Sequence, residues 1–248
     1  LIAASISQLR IKFYIYRIGL VVAVLSTAGM GFTENIVIWA LLRYFAGATA
    51  VCGMLIASGL IMNWLIRHQF KPLLGLHFAG LGLSISLSGV AVGLMAGSLV
   101  WNELWVAMGI LGIVFLIPAY FWMPAPADVP VTSTANTTQK VPSKKWMNIL
   151  IAAYFCGGFG FVVSATFIVA ILEKLPLLSG IGSWIWVLIG LAAAPSTFLW
   201  DKVAARMGQI PALLLAYGLQ VVSVILPVLT TDVTVNILSG ILYGNTFV

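Results

Sequence analysis

What most constrains this chain is a succession of apolar stretches. Each approaches or exceeds the ~20 residues that an α-helix needs to cross a bilayer. Seven of them cover approximately residues 17–32, 36–64, 73–96, 102–122, 147–172, 180–199 and 211–229, and an eighth opens near Val235. A helix that packs on a core in water keeps a polar outer face, and these stretches have none. Charged residues make up 7% of the sequence and mean hydropathy is +1.12. A soluble domain carries roughly 25% charge, so this composition cannot solvate a globular surface. The expected fold class is all-α: a polytopic integral membrane protein.

One long stretch interrupts the pattern. Residues 124–146 hold Pro124, Pro126, Pro130 and Pro142, a Ser/Thr/Asn tract, and Lys140, Lys144 and Lys145. That composition predicts a flexible, solvated linker. It divides the chain into an N-terminal bundle, 1–123, with four spans, and a C-terminal bundle, 147–248, with three spans and part of a fourth. Starting at Leu1 and stopping at Val248 inside an apolar run, the sequence reads as a fragment.

Charge orients the spans. Arg10, Lys12, Arg17, Arg67, Lys71, Lys140, Lys144, Lys145, Lys202 and Arg206 fall at alternate connections. The other connections hold Glu34, Glu103, Glu173 and Asp232, with Lys174 as their one base. The positive-inside rule puts the basic side, linker included, in the cytoplasm. The sequon at Asn136 then lies on the wrong side for glycosylation. Net charge is +6, but the bases are scattered among short loops, which excludes a nucleic-acid face. Cys52 and Cys156 lie inside apolar runs, so neither a disulfide framework nor a metal spacing is expected, and no cofactor is.

Arg43 is the one base well inside a span. About eight residues from the outer end, it lies ~12 Å deep at 1.5 Å per residue. A charge at that depth costs from ~3 to above 10 kcal/mol, so it must face a cavity or a partner. Its stripe carries Gly47, Ala50 and Met54, and no acid stands at ±3 or ±4. An anionic or carboxylate-bearing solute is the corresponding ligand; a structural pair or snorkelling is the plainer reading. Thr49 on the same span, Tyr154, Ser164 and Thr166 on the fifth, Gln220 on the seventh and Asn245 on the eighth are further candidates to bind a solute. Each such residue is more often an interhelical hydrogen bond. Gly157-Gly158-x-Gly160 mimics a phosphate loop, but no strand precedes it, so it reads as closely packed helix. His77 and the Ser84/Ser88 pair share another face of the third span and read as bland.

Two packing signals accompany these. Gly75, Ala79, Gly82, Ser86, Gly89 and Gly93 recur at steps of four and three, a small-residue stripe that allows close approach of a second backbone. It serves either static packing or a sliding interface. Pro195, after three alanines, is expected to bend the sixth span. A weak internal repeat is also visible: at an offset of 197 (244 − 47), Gly47-Ala48-Thr49-Ala50 meets Gly244-Asn245-Thr246-Phe247 and Ser26 meets Ser223. Two related halves are a transporter's construction.

The stretches 42–47 (LRYFAG), 77–82 (HFAGLG) with 87–89 (LSG), and 189–196 (IGLAAAPS) with 199–202 (LWDK) resemble the major facilitator superfamily, in its YbfB/YjiJ-like branch. The likeness spans almost the whole chain, as the third to tenth of twelve helices. Arg43-x-x-x-Gly47 is similar to that family's fourth-helix motif. Asp201-Lys202 with Arg206-x-Gly208 is similar to its cytoplasmic loop motif, here stretched; the equivalent first-half loop, Ala4–Lys12, lacks the Asp. The resemblance implies a secondary transporter of the bacterial inner membrane, working by alternating access on a small solute, with a proton as candidate coupling ion. No Asp or Glu is expected deep in an apolar run, so a carboxylate to carry that proton is expected in helices outside this sequence. It also implies that the second, fifth and eighth spans line a cavity, the third and sixth meet at the bundle interface, and the first, fourth and seventh face lipid. Gly75, Gly82, Gly89, Pro195, Asp201, Lys202 and Arg206 would then serve interface or gate. The alternative is a non-transporting sensor or assembly subunit that keeps this fold. An enzyme ranks behind both, since no His, Asp or Glu cluster lies at a membrane face.

Overall fold

A computed structural model describes residues 8–71, 74–126 and 143–246. The described elements are all helical: α1 (Leu9–Gly29), α2 (Ile36–Val51), α3 (Ala57–Arg67), α4 (Leu74–Met95), α5 (Trp101–Trp122), α6 (Lys144–Leu172), α7 (Gly182–Met207), α8 (Gln209–Leu229) and α9 (Val233–Thr246). Seven helical stretches are long and apolar enough to cross a membrane, with α2 and α3 forming one of them. Most of their large apolar side chains are exposed, including Ile18, Leu41, Ile113, Phe155 and Val221. That is the surface a bilayer covers and water does not.

The chain divides into two units, Leu1–Ala127 and Asp128–Val248. In the first, α1 is the central helix. Its core is Phe13, Tyr16, Ile56, Ala57 and Leu60. Glycines set how closely helices meet: a Cβ on Gly109 of α5 would lie 2.5 Å from Ala28 of α1, and one on Gly19 of α1 would lie 2.8 Å from Cys52. With no side chain at those points the backbones come together, which is how helices gain dispersion contact in lipid. The Tyr16 hydroxyl donates to the carbonyl of Ala119 at 3.0 Å and pins the other end of the same pair.

The second span runs Ile36–Arg67 and contains a π-helical turn, Cys52–Ile56. No Pro or polar residue announces this turn. A π-turn accommodates one extra residue in the helical ladder, and here it begins at the residue seated against Gly19.

In the second unit α7, α8 and α9 form the compact part. Its core gathers Ile168, Leu172, Leu178, Ile185, Ile189 and Tyr243. Tyr243 is fully buried, stacks on Phe161 and donates to that residue's carbonyl at 3.1 Å. A Cβ on Gly244 would overlap the carbonyl of Ile189, so α9 meets α7 backbone to backbone.

Several sequence expectations shift. α7 continues unbroken through Pro195 to Met207 and is followed directly by Gly208 and α8. Asp201, Lys202 and Arg206, expected in a loop, therefore sit on the last two turns of a helix. Gly208 alone makes the connection, at φ +93° and ψ 157°, where only glycine is comfortable. Lys144–Trp146, expected in the linker, form the first turn of α6, capped by the Ser143 hydroxyl. The Gly157-Gly158-x-Gly160 segment lies inside α6, as helix. Residues 127–142, with the Asn136 sequon, lie outside the described residues.

Candidate functional site

The internal repeat is visible in hydrogen bonds. In the turn before α2, the Thr33 hydroxyl accepts from the Asn35 N–H at 3.1 Å. The Asn35 side chain accepts from Val37 and Ile38, and the Trp39 indole donates to the Thr33 carbonyl at 2.7 Å. At the same offset of 197 (230 − 33), the Thr230 hydroxyl accepts from Asp232 N–H at 3.1 Å. The Asp232 carboxylate accepts from Val235 at 3.0 Å, and the Asn236 amide donates to the Thr230 carbonyl at 2.9 Å. One turn is thus built twice, with matched positions in matching roles, so α1–α2 and α8–α9 are equivalent hairpins. Ser26 and Ser223, matched by the repeat, are both buried.

From that turn α2 carries Trp39 and, one turn on, Arg43. On α5, Trp101 and Trp105 are likewise four residues apart. Trp39 meets Trp101 edge to face at 5.6 Å, and the Arg43 guanidinium carbon sits 4.7 Å from the centroid of the Trp105 ring. Residues at i and i+4 share a helix face, so two such pairs make a ladder with Arg43 as its inner rung. A guanidinium over an indole is held by the ring quadrupole without being neutralised. Arg43 is otherwise exposed, and a Cβ on Gly47, one turn below, would meet nothing within 4 Å.

Three of the described carboxylates are engaged at helix starts. Glu103 reaches back to the Val100 N–H at 3.1 Å, Glu173 accepts from Gly182 N–H at 3.0 Å, and Asp232 caps α9. Each satisfies a helix N-terminus, where the dipole favours negative charge. Arg43 thus presents a positive charge backed by an aromatic ring, with open space beside it. That arrangement can bind an anion edge-on.

The other candidates are less available. The Thr49 hydroxyl donates to its own helix at the Phe45 and Ala46 carbonyls. Thr166, Ser84 and Ser88 bond likewise within their helices. Tyr154 is exposed on α6, and Ser164 and Gln220 are half-buried. Asn245 is half-buried and its backbone carbonyl accepts from the Trp200 indole at 2.7 Å. Arg43 and Thr49 belong to the first unit and the other four to the second. Among the described residues, no hydrogen bond joins any two of the six. On α4 the stripe is the buried side: Ala79, Gly82, Ser86 and Gly89 are buried and Gly75 half-buried, while Leu76, Leu83 and Leu94 are exposed. Asp201, Lys202 and Arg206 are exposed on α7, as is Pro195.

Reading the sequence missed Trp105, and the signal was present. A Trp pair at i,i+4 on one span and a Trp/Arg pair at the same spacing on another are complementary faces.

A family described as the uncharacterised MFS-type transporter YbfB matches residues 1–248. The chain belongs to that family. It is a membrane transporter of the major facilitator superfamily. No curated protein matches, and no solved structure does. For this transporter, the helices of membrane length, the twice-used hairpin and the family match agree. A small solute and membrane lipid are accordingly its partners.

Proposed function

We propose that the transporter is a secondary active carrier working by alternating access, and that its solute is anionic, with a carboxylate or similar group bound at Arg43. The observation that carries the reading is the Arg43 guanidinium over Trp105, exposed beside the open side of Gly47. Both faces of the ladder come from helices of one unit, so the charge is placed before any solute arrives. Such pre-placement reduces the ordering cost of binding. Tyr154, Ser164, Gln220 and Asn245 carry groups that would hydrogen-bond the solute. Gly75, Gly82 and Gly89 on α4 and Pro195, Asp201, Lys202 and Arg206 on α7 would act in the movement between end-states. A proton gradient would drive the cycle, in the inner membrane of a bacterium with residues 124–146 cytoplasmic. The alternation of bases supports that orientation, and labelling a single cysteine at position 137 from one side or the other reports it.

The test is uptake by full-length protein in liposomes, using radiolabelled mono- and dicarboxylates beside their neutral amides, with and without a pH gradient. Arg43→Lys keeps the charge but loses the planar fork, and carboxylate affinity should fall about tenfold, the loss of one charge-assisted hydrogen bond. Arg43→Gln should nearly abolish carboxylate uptake while the melting temperature in detergent stays unchanged. Normal carboxylate uptake by a well-folded Arg43→Gln protein sinks the proposal. Uptake of the amides in preference to the acids sinks the anionic assignment alone.

A further inference from the structure

A second arginine stands on a helix away from Arg43: Arg17, expected at a connection where the first span opens, lies on α1, which begins eight residues earlier. Arg17 is the ninth residue of α1, ~12 Å along the helix from its start at 1.5 Å per residue. Its guanidinium carbon is 4.4 Å from the centroid of the Phe13 ring, on the preceding turn, and 4.5 Å from that of Tyr120 on α5. Two rings thus cover the cation, while its N–H groups radiate in the guanidinium plane and are left to find acceptors. Among the described residues, the buried Nε has none. The two described acids of this unit, Glu34 and Glu103, stand at the far end of α1 and the start of α5, and Glu103 is engaged at Val100. An arginine cation with no described acid beside it calls for an outside partner, which would meet the terminal N–H groups, since the Nε is closed to the surface.

Beside Arg17 lies an open depression of about 250 Å³ between α1 and α5, lined by Tyr14, Arg17, Ile18, Val21, Val22 and Tyr120. Tyr14, Arg17, Ile18 and Val21 fall at i, i+3, i+4 and i+7, one stripe of α1. Tyr14 and Ile18 are 62% and 63% exposed, so the groove opens outward from the unit. Its chemistry changes along its length: two phenols and a cation at one end, then only aliphatic side chains. A free anion uses the first part alone. An amphiphile uses both.

We infer that this groove is a binding site for one phospholipid, its phosphate accepting from the edge of Arg17 and its acyl chain lying along Ile18, Val21 and Val22. The aromatic clamp fixes the cation so that the phosphate would meet the N–H edge, and Tyr14 and Tyr120, which line the groove, carry hydroxyls able to donate. Packing of the chain against the aliphatic floor adds dispersion contact that a soluble anion lacks. The site is independent of Arg43 and of the solute assignment.

Delipidated full-length protein, titrated in detergent and examined by native mass spectrometry, tests it with four probes. These are phosphatidylglycerol, phosphatidylcholine, diacylglycerol with the same chains, and inorganic phosphate. The wild type should retain one phosphatidylglycerol, with phosphatidylcholine weaker and diacylglycerol not retained, and inorganic phosphate should not compete. Arg17→Gln should weaken that retention by about tenfold, the scale of one lost hydrogen bond to a charged group. Val21→Trp, which fills the groove and leaves Arg17 in place, should lose the lipid as well and covers the case of an Arg17→Gln protein that does not fold. Equal retention by the wild type and a folded Arg17→Gln variant overturns the inference. So does competition by inorganic phosphate, which would make the place a soluble-anion site, or diacylglycerol bound as tightly as phosphatidylglycerol.

Discussion

The hairpins α1–α2 and α8–α9 start from one turn and end in opposite surroundings. Thr33, Asn35 and Trp39 are matched in role by Thr230, Asp232 and Asn236. Farther along the outgoing helices the matched positions diverge. Gly244 of α9 is buried against the Ile189 carbonyl, and a Cβ on Gly240 would lie 3.7 Å from that residue's side chain. Their counterparts on α2 are Gly47, with nothing near it, and Arg43, exposed over Trp105. The same helix face is a closed seam in one hairpin and an open cationic surface in the other. Turn chemistry therefore fixes where a helix begins, and the residues one to three turns later decide whether its face is used for packing or for binding.

The sharpest way to break this comparison is to add one methyl group to each glycine. Gly244→Ala forces a Cβ into a backbone carbonyl and should cost about 1–3 kcal/mol, the usual range for overpacking. Gly47→Ala meets open space and should stabilise by about 0.5–1 kcal/mol, because alanine loses less entropy in a helix. Unfolding of the two variants in mixed detergent should move in opposite directions from wild type, and movement in the same direction would erase the distinction between seam and surface.

A smaller effect tests the shared part. Asn35→Ala and Asp232→Ala each remove the side-chain cap of a following helix, and each should cost about 1 kcal/mol. The comparison is sharpened if the two costs agree within a factor of two and are read by hydrogen exchange at the first turns of α2 and α9. A large cost at Asp232 with none at Asn35 would mean that the resemblance of the turns is geometric only.

Smallest is the hydroxyl. Thr33→Val and Thr230→Val keep the shape and remove the acceptor of the cap residue's N–H. In an exposed turn that should cost about 0.5 kcal/mol, the low end for a hydrogen bond. Equal small losses in thermal unfolding support two copies of one device; a loss in one alone separates them.

Much of this architecture is legible in the sequence because lipid imposes long apolar runs and charge alternation marks their ends. The α2, α5 and α8 spans lie close to where hydropathy places them, and Asn35 and Asp232 stand where caps belong. Other features leave no such trace. The π-turn at Cys52–Ile56 answers to Gly19 on another helix, and hydropathy along one segment does not report a contact across two. The extension of α7 through Arg206 was hidden because polar residues at a membrane edge look the same whether helical or looped. Arg43 was found by its charge, but its ring was not, since an arginine in an apolar run points first to acids and Trp105 carries no charge.

Gly208 has a consequence for how this molecule can change over generations. Loops usually absorb insertions and deletions, but the connection from α7 to α8 is a single codon whose φ of +93° only glycine holds without strain. A residue gained or lost there has nowhere to go except into the helices. Every residue taken up at the end of α7 turns the start of α8 by about 100° and shifts it by about 1.5 Å relative to Asp201, Lys202 and Arg206. In this part of the gene, length and charge placement are inherited together.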